Sequence, residues 1–382
     1  MNQSAKWVVG VIVVVAIVAV GYFVSKGPSE PVSTEPIKIG FIGPLSGDAA
    51  IYGEPMRDVI RLAVEEINNA GGIKGRSVTV VYEDGKCNGK DATSAAQKLI
   101  NVDKVKIIIG GVCSGETLGA APVAEAAKVI LFSPGSGSPD ITNAGDYIFR
   151  NFPSDASSGK KMAELAVAKN LKNIALLVEI TDYAQAIKKV FTTRFNEIGG
   201  KIVVDESFTS EATDMRTQIT KIKAQNPNAV YLVPQTPARA EIAIKQFKEL
   251  GLNVQILSNE IANSEAILKN LGVLMEGILY AEPAFDETSP LSKTYLDKHK
   301  AKYGTLGEGL PPVYLATTYD AVYVLKEMIE KYSEDTNQIK SGLYGIKNRQ
   351  GAAGSLTIDQ NGDPVFEYVV KTIRNGKPTE VK

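Results

Sequence analysis

The sequence is poor in the side chains on which most enzymes and metal proteins depend. Its 382 residues hold one histidine, two cysteines and one tryptophan. A single histidine leaves no His/Cys cluster with metal-ligand spacing and no partner for a serine or cysteine nucleophile. That residue, His299, lies in the lysine-rich stretch KTYLDKHKAKYG, where a solvated helix face accounts for it. Charge of one sign is also missing: Lys and Arg number 42 against 43 Asp and Glu, so the electrostatic footprint of a nucleic-acid binder is absent. The turns IGPLSG and IIIGGVCSG lack the GK[ST] ending of a P-loop and the full G-x-G-x-x-G pattern, which disfavours nucleotide and dinucleotide pockets. The stretch SPGSGSPD is rich in serine but is no G-x-S-x-G elbow, so among catalytic arrangements only a Ser–Lys pair stays open. We expect no cofactor, no metal and no catalysis.

What is present organises around residues 106–117, KIIIGGVCSGET. A short apolar run breaks into two glycines and then presents Cys113 and Ser114 at the start of a helical pattern. A strand running through a tight turn into a helix N-terminus is where an open α/β sheet holds a small anionic group. The length suits two units of ordinary domain size, and 34 glycines suit many strand-to-helix turns.

The first residues form a separate segment. Positions 7–24 carry no charge and are long enough to cross a bilayer, while Ala19-Val20-Gly21 offers a small-x-small cleavage site. Residues 1–26 are expected to be a membrane anchor or a secretory signal, with 27–36, rich in proline and serine, as a linker. Either reading puts the body outside the cytoplasm. There, two cysteines are most simply one disulfide, and Cys87 and Cys113 both fall in loops after strand-like runs.

From residue 37 the chain alternates. Strand 37–42 precedes a helix over 55–69, with Pro55 in its first turn, and strands over 77–82, 105–109 and 129–132 follow, separated by helices. After Phe149 the pattern restarts, with strands 173–178, 201–205, 229–233 and 254–257 between helices. Two such runs mean two α/β lobes with largely parallel sheets. The tail differs: helices over 291–303 and 314–332, then strands 355–358 and 366–373 that lack a crossover helix and must join the edges of existing lobes. The chain then passes between lobes more than once, which restricts their motion to a hinge.

Loops at the carboxyl ends of parallel strands are the expected ligand edge. The first lobe offers Tyr52, Ser114 and the peptide groups of 135–138; the second offers Asp182 and Tyr183, Gln235 and Thr236, and Glu260. Ser114 suits a carboxylate or simply caps its helix, and Glu260 suits an ammonium group or is a surface loop charge.

The segments IKIGFIGPLSGDAAIYG, AVEEINNAGGIKG, YEDGKC, IIIGGVCSGET, FSPGSGSPDIT, IFRNFPSD, ALLVEITDYAQ, ATTYDAV and GSLTIDQNGD occur in order from residue 37 to the end. In this the chain resembles the periplasmic branched-chain amino-acid binding proteins that serve ABC importers. The resemblance implies a type I periplasmic binding protein fold: two Rossmann-like α/β lobes joined by three hinge crossovers and closing over an amino acid. It implies lobe one at 37–153 plus 283–354 and lobe two at 154–282 plus 355–382. It matches a disulfide to Cys87 and Cys113 and implies an ABC permease as partner; a monomer is expected, and the N-terminal segment gives the membrane association. The ligand carboxylate would meet Ser114 and the peptide groups of Gly135, Ser136 and Gly137. Aromatic contacts would come from Tyr52, Tyr183 and Tyr319, and the ligand ammonium would meet Glu260. The family has a threonine where this chain has Gly137 and a tyrosine where it has Gln235 and Thr236, so a polar side chain or an amide is the alternative ligand. A sensory binding protein is the alternative role.

Overall fold

A computed structural model describes residues 35–381. The first sheet contains β1 (Ile37–Gly43), β2 (Val78–Asp84), β3 (Ile107–Gly110), β4 (Ile130–Ser133) and β5 (Ile148–Arg150), all parallel, in the order β2-β1-β3-β4-β5. The strands β3, IIIG, and β4, ILFS, are buried at every position, as sheets covered by helices on both faces require. Helices α1 (Ala50–Asn69), α2 (Gly89–Asn101) and α3 (Ser114–Ala127) make the crossovers. α1 starts five residues earlier than its periodicity suggests. Pro55 therefore sits inside the helix, and the turn before it is anchored by Ala50 and Tyr52 N–H groups donating to the carbonyls of Gly47 and Ala49 at 3.0 and 2.9 Å. The shift puts Tyr52 on the first turn of α1 rather than in a loop.

After β5 the chain crosses to a second sheet through α4 (Ala156–Ala168). Here β6 (Asn173–Glu179), β7 (Lys201–Phe208), β8 (Ala229–Val233), β9 (Gln255–Ser258) and β10 (Leu279–Pro283) are parallel, connected through α5 (Asp182–Glu197), α6 (Arg216–Ala224), α7 (Pro237–Glu249) and α8 (Glu265–Leu271). A second crossing leads to α9 (Pro290–Tyr303), α10 (Pro312–Tyr332) and α11 (Thr336–Tyr344), of which α9 and α10 pack on α1 of the first lobe. A hairpin of β11 (Arg349–Gly351) and β12 (Gly354–Leu356) follows. The chain then returns to the second sheet as β13 (Tyr368–Arg374) and β14 (Lys377–Glu380), both antiparallel, completing the order β14-β13-β10-β9-β8-β6-β7.

Both sheets are wound alike. The first reverses direction between β1 and β3, the second between β6 and β8, and ligands gather at the carboxyl ends of strands beside such a reversal. Residues 359–363 stay with the first lobe: Arg150 is wholly buried and its Nε donates to Asp363 Oδ1 at 2.6 Å, its Nη2 to Oδ2 at 2.8 Å.

The expectation of a transmembrane helix is corrected for the described residues. Among the described residues no helix is long and apolar enough to cross a membrane. The apolar run 7–24 and the linker up to residue 34 lie outside them.

Candidate functional site

Between the two reversals lies a narrow, nearly closed cavity of about 30 Å³, lined by Tyr52, Val112, Cys113, Ser114, Gly135, Tyr183, Gln235, Glu260, Ile261, Leu310 and Tyr314. A larger hollow around Asn226, Asn253 and Glu276 lies at the amino ends of β8 and β9, the opposite edge of the second sheet, and the edge decides between them.

One wall is the β3–α3 turn. Cys113 is joined to Cys87 by a disulfide. The buried Glu116 carboxylate braces both partners, accepting from the N–H groups of Cys87, Val112 and Cys113 at 3.0 Å each. Burial pushes its pKa up to about 7 even so. Cys113 is the N-cap residue of α3 and Ser114 its first helical residue, so Ser114 is not the cap. Its Oγ accepts from the N–H of Ser138 at 3.1 Å, locking the turn to the 134–138 loop and leaving its own proton to donate. Ser136 faces away from the cavity, with its hydroxyl 2.7 Å from that of Thr117 and donating to the Gly111 carbonyl at 3.0 Å.

The opposite wall comes from the second lobe. Glu260 follows β9 and has no solvent exposure. Its Oε1 accepts from the hydroxyls of Tyr183 at 2.6 Å and Tyr314 at 2.9 Å, and Asn259 Nδ2 donates to the Tyr183 oxygen at 2.9 Å. Its Oε2 is buried without a partner. Burial raises the Glu260 pKa, and the tyrosine hydrogen bonds oppose the shift. A buried acid that faces hydroxyl donors but no cation is poised for a cationic group.

Gln235 ties the walls together. Its carbonyl accepts from the Tyr52 hydroxyl at 2.7 Å, its Nε2 reaches Cys87 Sγ at 2.9 Å, and its Oε1 is buried without a partner. Arg239 adds an ion pair to Asp48 at 2.5 Å. A Cβ on Gly115 would meet Asp182 Oδ2 at 2.9 Å, so the start of α3 closes tightly on the second lobe.

The expected residues thus divide. Tyr52, Ser114, Gly135, Tyr183, Gln235 and Glu260 converge on the cavity, whereas Ser136, Gly137, Thr236 and Tyr319 do not line it. Thr236 caps α7, accepting from the Arg239 N–H at 3.4 Å. Tyr319 is corrected to the half-buried face of α10 that packs on α9 and α1, stacked on Tyr295 and donating to Glu66 at 2.6 Å. Five residues turn a helix by about 500°, so Tyr314 and Tyr319 point some 140° apart, and Tyr314 takes the pocket position. Tyr314, Val112, Ile261 and Leu310 are the contacts that sequence reasoning missed; their apolar or aromatic character is shared with the core, and only position separates them.

Residues 36–377 match the family model described as periplasmic binding protein. A leucine-, isoleucine-, valine-, threonine- and alanine-binding protein of Pseudomonas aeruginosa is 29% identical over 358 residues, covering 93% of this chain and 94% of that protein. Among solved structures, a leucine-binding protein from Thermotoga maritima is 28% identical with a TM-score of 0.81, covering 91% of this chain and 98% of the other. A branched-chain amino-acid transporter substrate-binding protein from Streptococcus pneumoniae, in complex with isoleucine, is 29% identical with a TM-score of 0.79, covering 90% and 97%.

Proposed function

Because the chain belongs to the periplasmic binding protein family, we propose that the cavity binds a small α-amino acid as its zwitterion. The chain is an extracytoplasmic substrate-binding component of an ABC importer and hands a small amino-acid-like ligand to a permease. The observation that carries the ligand assignment is the unpartnered, fully buried Glu260 Oε2, facing across a narrow cavity from the Ser114 turn. A cationic group at Glu260 and an anionic one at Ser114 suit the ammonium and carboxylate of one amino acid. Tyr52, Tyr183 and Tyr314 then surround the rest of the molecule, and closing the lobes excludes water and strengthens both contacts.

The free Gln235 Oε1 supports a second reading, in which a polar side chain or an amide is preferred over an aliphatic one. Lobes comprising 37–153 with 283–354 and 154–282 with 355–382 are proposed to close over the ligand. The hydrogen bonds from Ile358 to Ile346 and from Arg150 to Asp363 favour a third crossing nearer residue 364. For the run 7–24 we take the cleaved secretory leader as the working reading, which N-terminal sequencing of the mature protein tests.

Isothermal titration of the body from Ile37 onward against aliphatic and polar amino acids and small amides tests the ligand assignment. Glu260→Gln is expected to weaken an amino-acid ligand by more than about tenfold, since it removes the charge that faces the ammonium. Equal affinity in that variant would remove the ammonium contact, and an amide that binds while every amino acid fails would replace the ligand class.

A further inference from the structure

One residue divides the space between the lobes. Beside the nearly closed inner cavity of about 30 Å³ lies an outer hollow of about 570 Å³, lined by Asp48, Lys86 and Cys87 of the first lobe and by Glu179, Glu211 and Arg239 of the second. Gln235 is common to both linings and, at 7% exposure, is buried between them. Three contacts hold it there. Its N–H donates to Glu179 Oε2 at 2.7 Å, its carbonyl accepts from the Tyr52 hydroxyl at 2.7 Å, and its Nε2 lies 2.9 Å from Cys87 Sγ. The residue before it is fixed as well, since the Pro234 carbonyl accepts from Asn259 Nδ2 at 2.9 Å. Tyr52 and Cys87 belong to the first lobe and the other anchors to the second, so the partition is complete only when the lobes are closed.

Deepening the amino-acid reading above, on which this rests, we propose that Gln235 is the specificity-determining residue of the site and restricts the ligand to an amino acid whose side chain is no larger than hydroxymethyl: glycine, alanine or serine.

Size is the first argument. A water molecule needs about 10 to 15 Å³ of such space, so the inner cavity holds about two or three water-sized groups. Admitting even the backbone atoms that all amino acids share widens it, and every further side-chain atom widens it more. With the carboxylate at Ser114 and the ammonium at Glu260, the lining left for the side chain includes Tyr52 and Gln235. A long side chain has to push the Gln235 amide toward the outer hollow, which breaks its contact with Cys87 and loosens the Tyr52 bond that joins the lobes. Polarity is the second argument. Gln235 Oε1 is buried without a partner, and a serine hydroxyl can donate to it where an aliphatic chain leaves it unmet.

The test is titration calorimetry of the whole chain with glycine, alanine, serine, leucine and glutamine, on the wild type, Gln235→Ala and Gln235→Leu. Wild type is expected to bind alanine and serine at least about tenfold tighter than leucine or glutamine, the discrimination that misfitting methylenes give. Gln235→Ala joins the two spaces, so its alanine-to-leucine affinity ratio should fall at least about fivefold. Gln235→Leu keeps a wall of similar size and should keep the ratio. Leucine or glutamine binding wild type as tightly as alanine, an unchanged ratio in Gln235→Ala, or a ratio lost in Gln235→Leu would overturn the proposal. The wild-type series decides even if a variant melts early. Failure of the underlying reading looks different: no amino acid of any size then binds the wild type, and the present proposal goes with it.

Discussion

The Tyr52 hydroxyl donates to the Gln235 carbonyl oxygen at 2.7 Å, joining the first turn of α1 in one lobe to the loop after β8 in the other. Both groups are buried, so water competes poorly for either. Another direct bridge, Asp48 to Arg239, has an aspartate side chain that is 60% exposed, and such pairs contribute little. Removing the Tyr52 hydroxyl should therefore be felt as a shift in closure. Tyr52→Phe is expected to cost about 1 kcal/mol of the closed state and to weaken ligand binding about fivefold. Small-angle scattering of the ligand-free variant should show a larger radius of gyration, and an unchanged radius with unchanged affinity would assign closure to other contacts.

The two α10 tyrosines give a paired prediction. Tyr314 donates to Glu260 and is stacked on Phe152, with ring centroids 4.2 Å apart, whereas Tyr319 donates to Glu66 on α1. Tyr314→Phe should weaken an amino-acid ligand about threefold to tenfold by leaving Glu260 less well held. Tyr319→Phe should leave affinity unchanged and lower the melting temperature slightly. The reverse pattern in calorimetry and thermal melts would return Tyr319 to the site.

Both lobes were legible because their periodic signals are strong. β3 and β8 are short unbroken apolar runs, and α1 repeats Met56, Val59, Ile60, Ala63 and Ile67 on its buried side. What escaped has physical causes. β10 ends in Glu282 and Pro283, which read as loop; Glu282 is tolerated there because Lys371 of the neighbouring β13 pairs with it at 2.5 Å. The hairpin of β13 and β14 did carry a signal in Asn375-Gly376, whose φ angles of 53° and 69° suit a tight two-residue turn. In the site, the strand-end residues were readable because a parallel sheet delivers them to one edge. Tyr314 was not, since it arrives from the α10 helix, whose placement across the cleft no local pattern encodes.

The disulfide and Glu116 form one unit, and pH separates their contributions. A bridge over 26 positions is worth about 3.5 kcal/mol on the chain-entropy model. The double variant Cys87→Ser with Cys113→Ser should lose roughly that much in denaturant melts and bind ligand more weakly, because the Ser114 turn loosens. Glu116 acts with the opposite pH sense from an ordinary ion-paired acid. Its folded pKa is raised from 4.5 to about 7, so the stability it contributes is fully present below about pH 4.5 and is lost as pH rises through about 7. The difference in melting temperature between wild type and Glu116→Gln should change across that window and be constant above it. A constant difference throughout would mean that Glu116 is ionised in the folded protein at all those pH values.

The last prediction concerns how the tail supports the site. Arg150 pairs with Asp363 and also donates from Nη1 to the carbonyls of Ser136 at 3.2 Å and Ser138 at 2.9 Å, so one buried guanidinium fastens the 359–363 loop to the ligand loop. Asp363→Ala strands that charge and should cost about 3 to 5 kcal/mol, since a buried ion without its partner is the expensive case. Replacing both partners by apolar residues of similar size, Arg150→Met with Asp363→Leu, removes the charges together and should recover most of the stability. It cannot recover the two carbonyl contacts, so Ser138 is held less firmly against Ser114 and ligand affinity should stay reduced. A double variant that regains stability while remaining weak in ligand titration separates the two roles of Arg150. Full recovery of both would mean that Arg150 serves the fold alone.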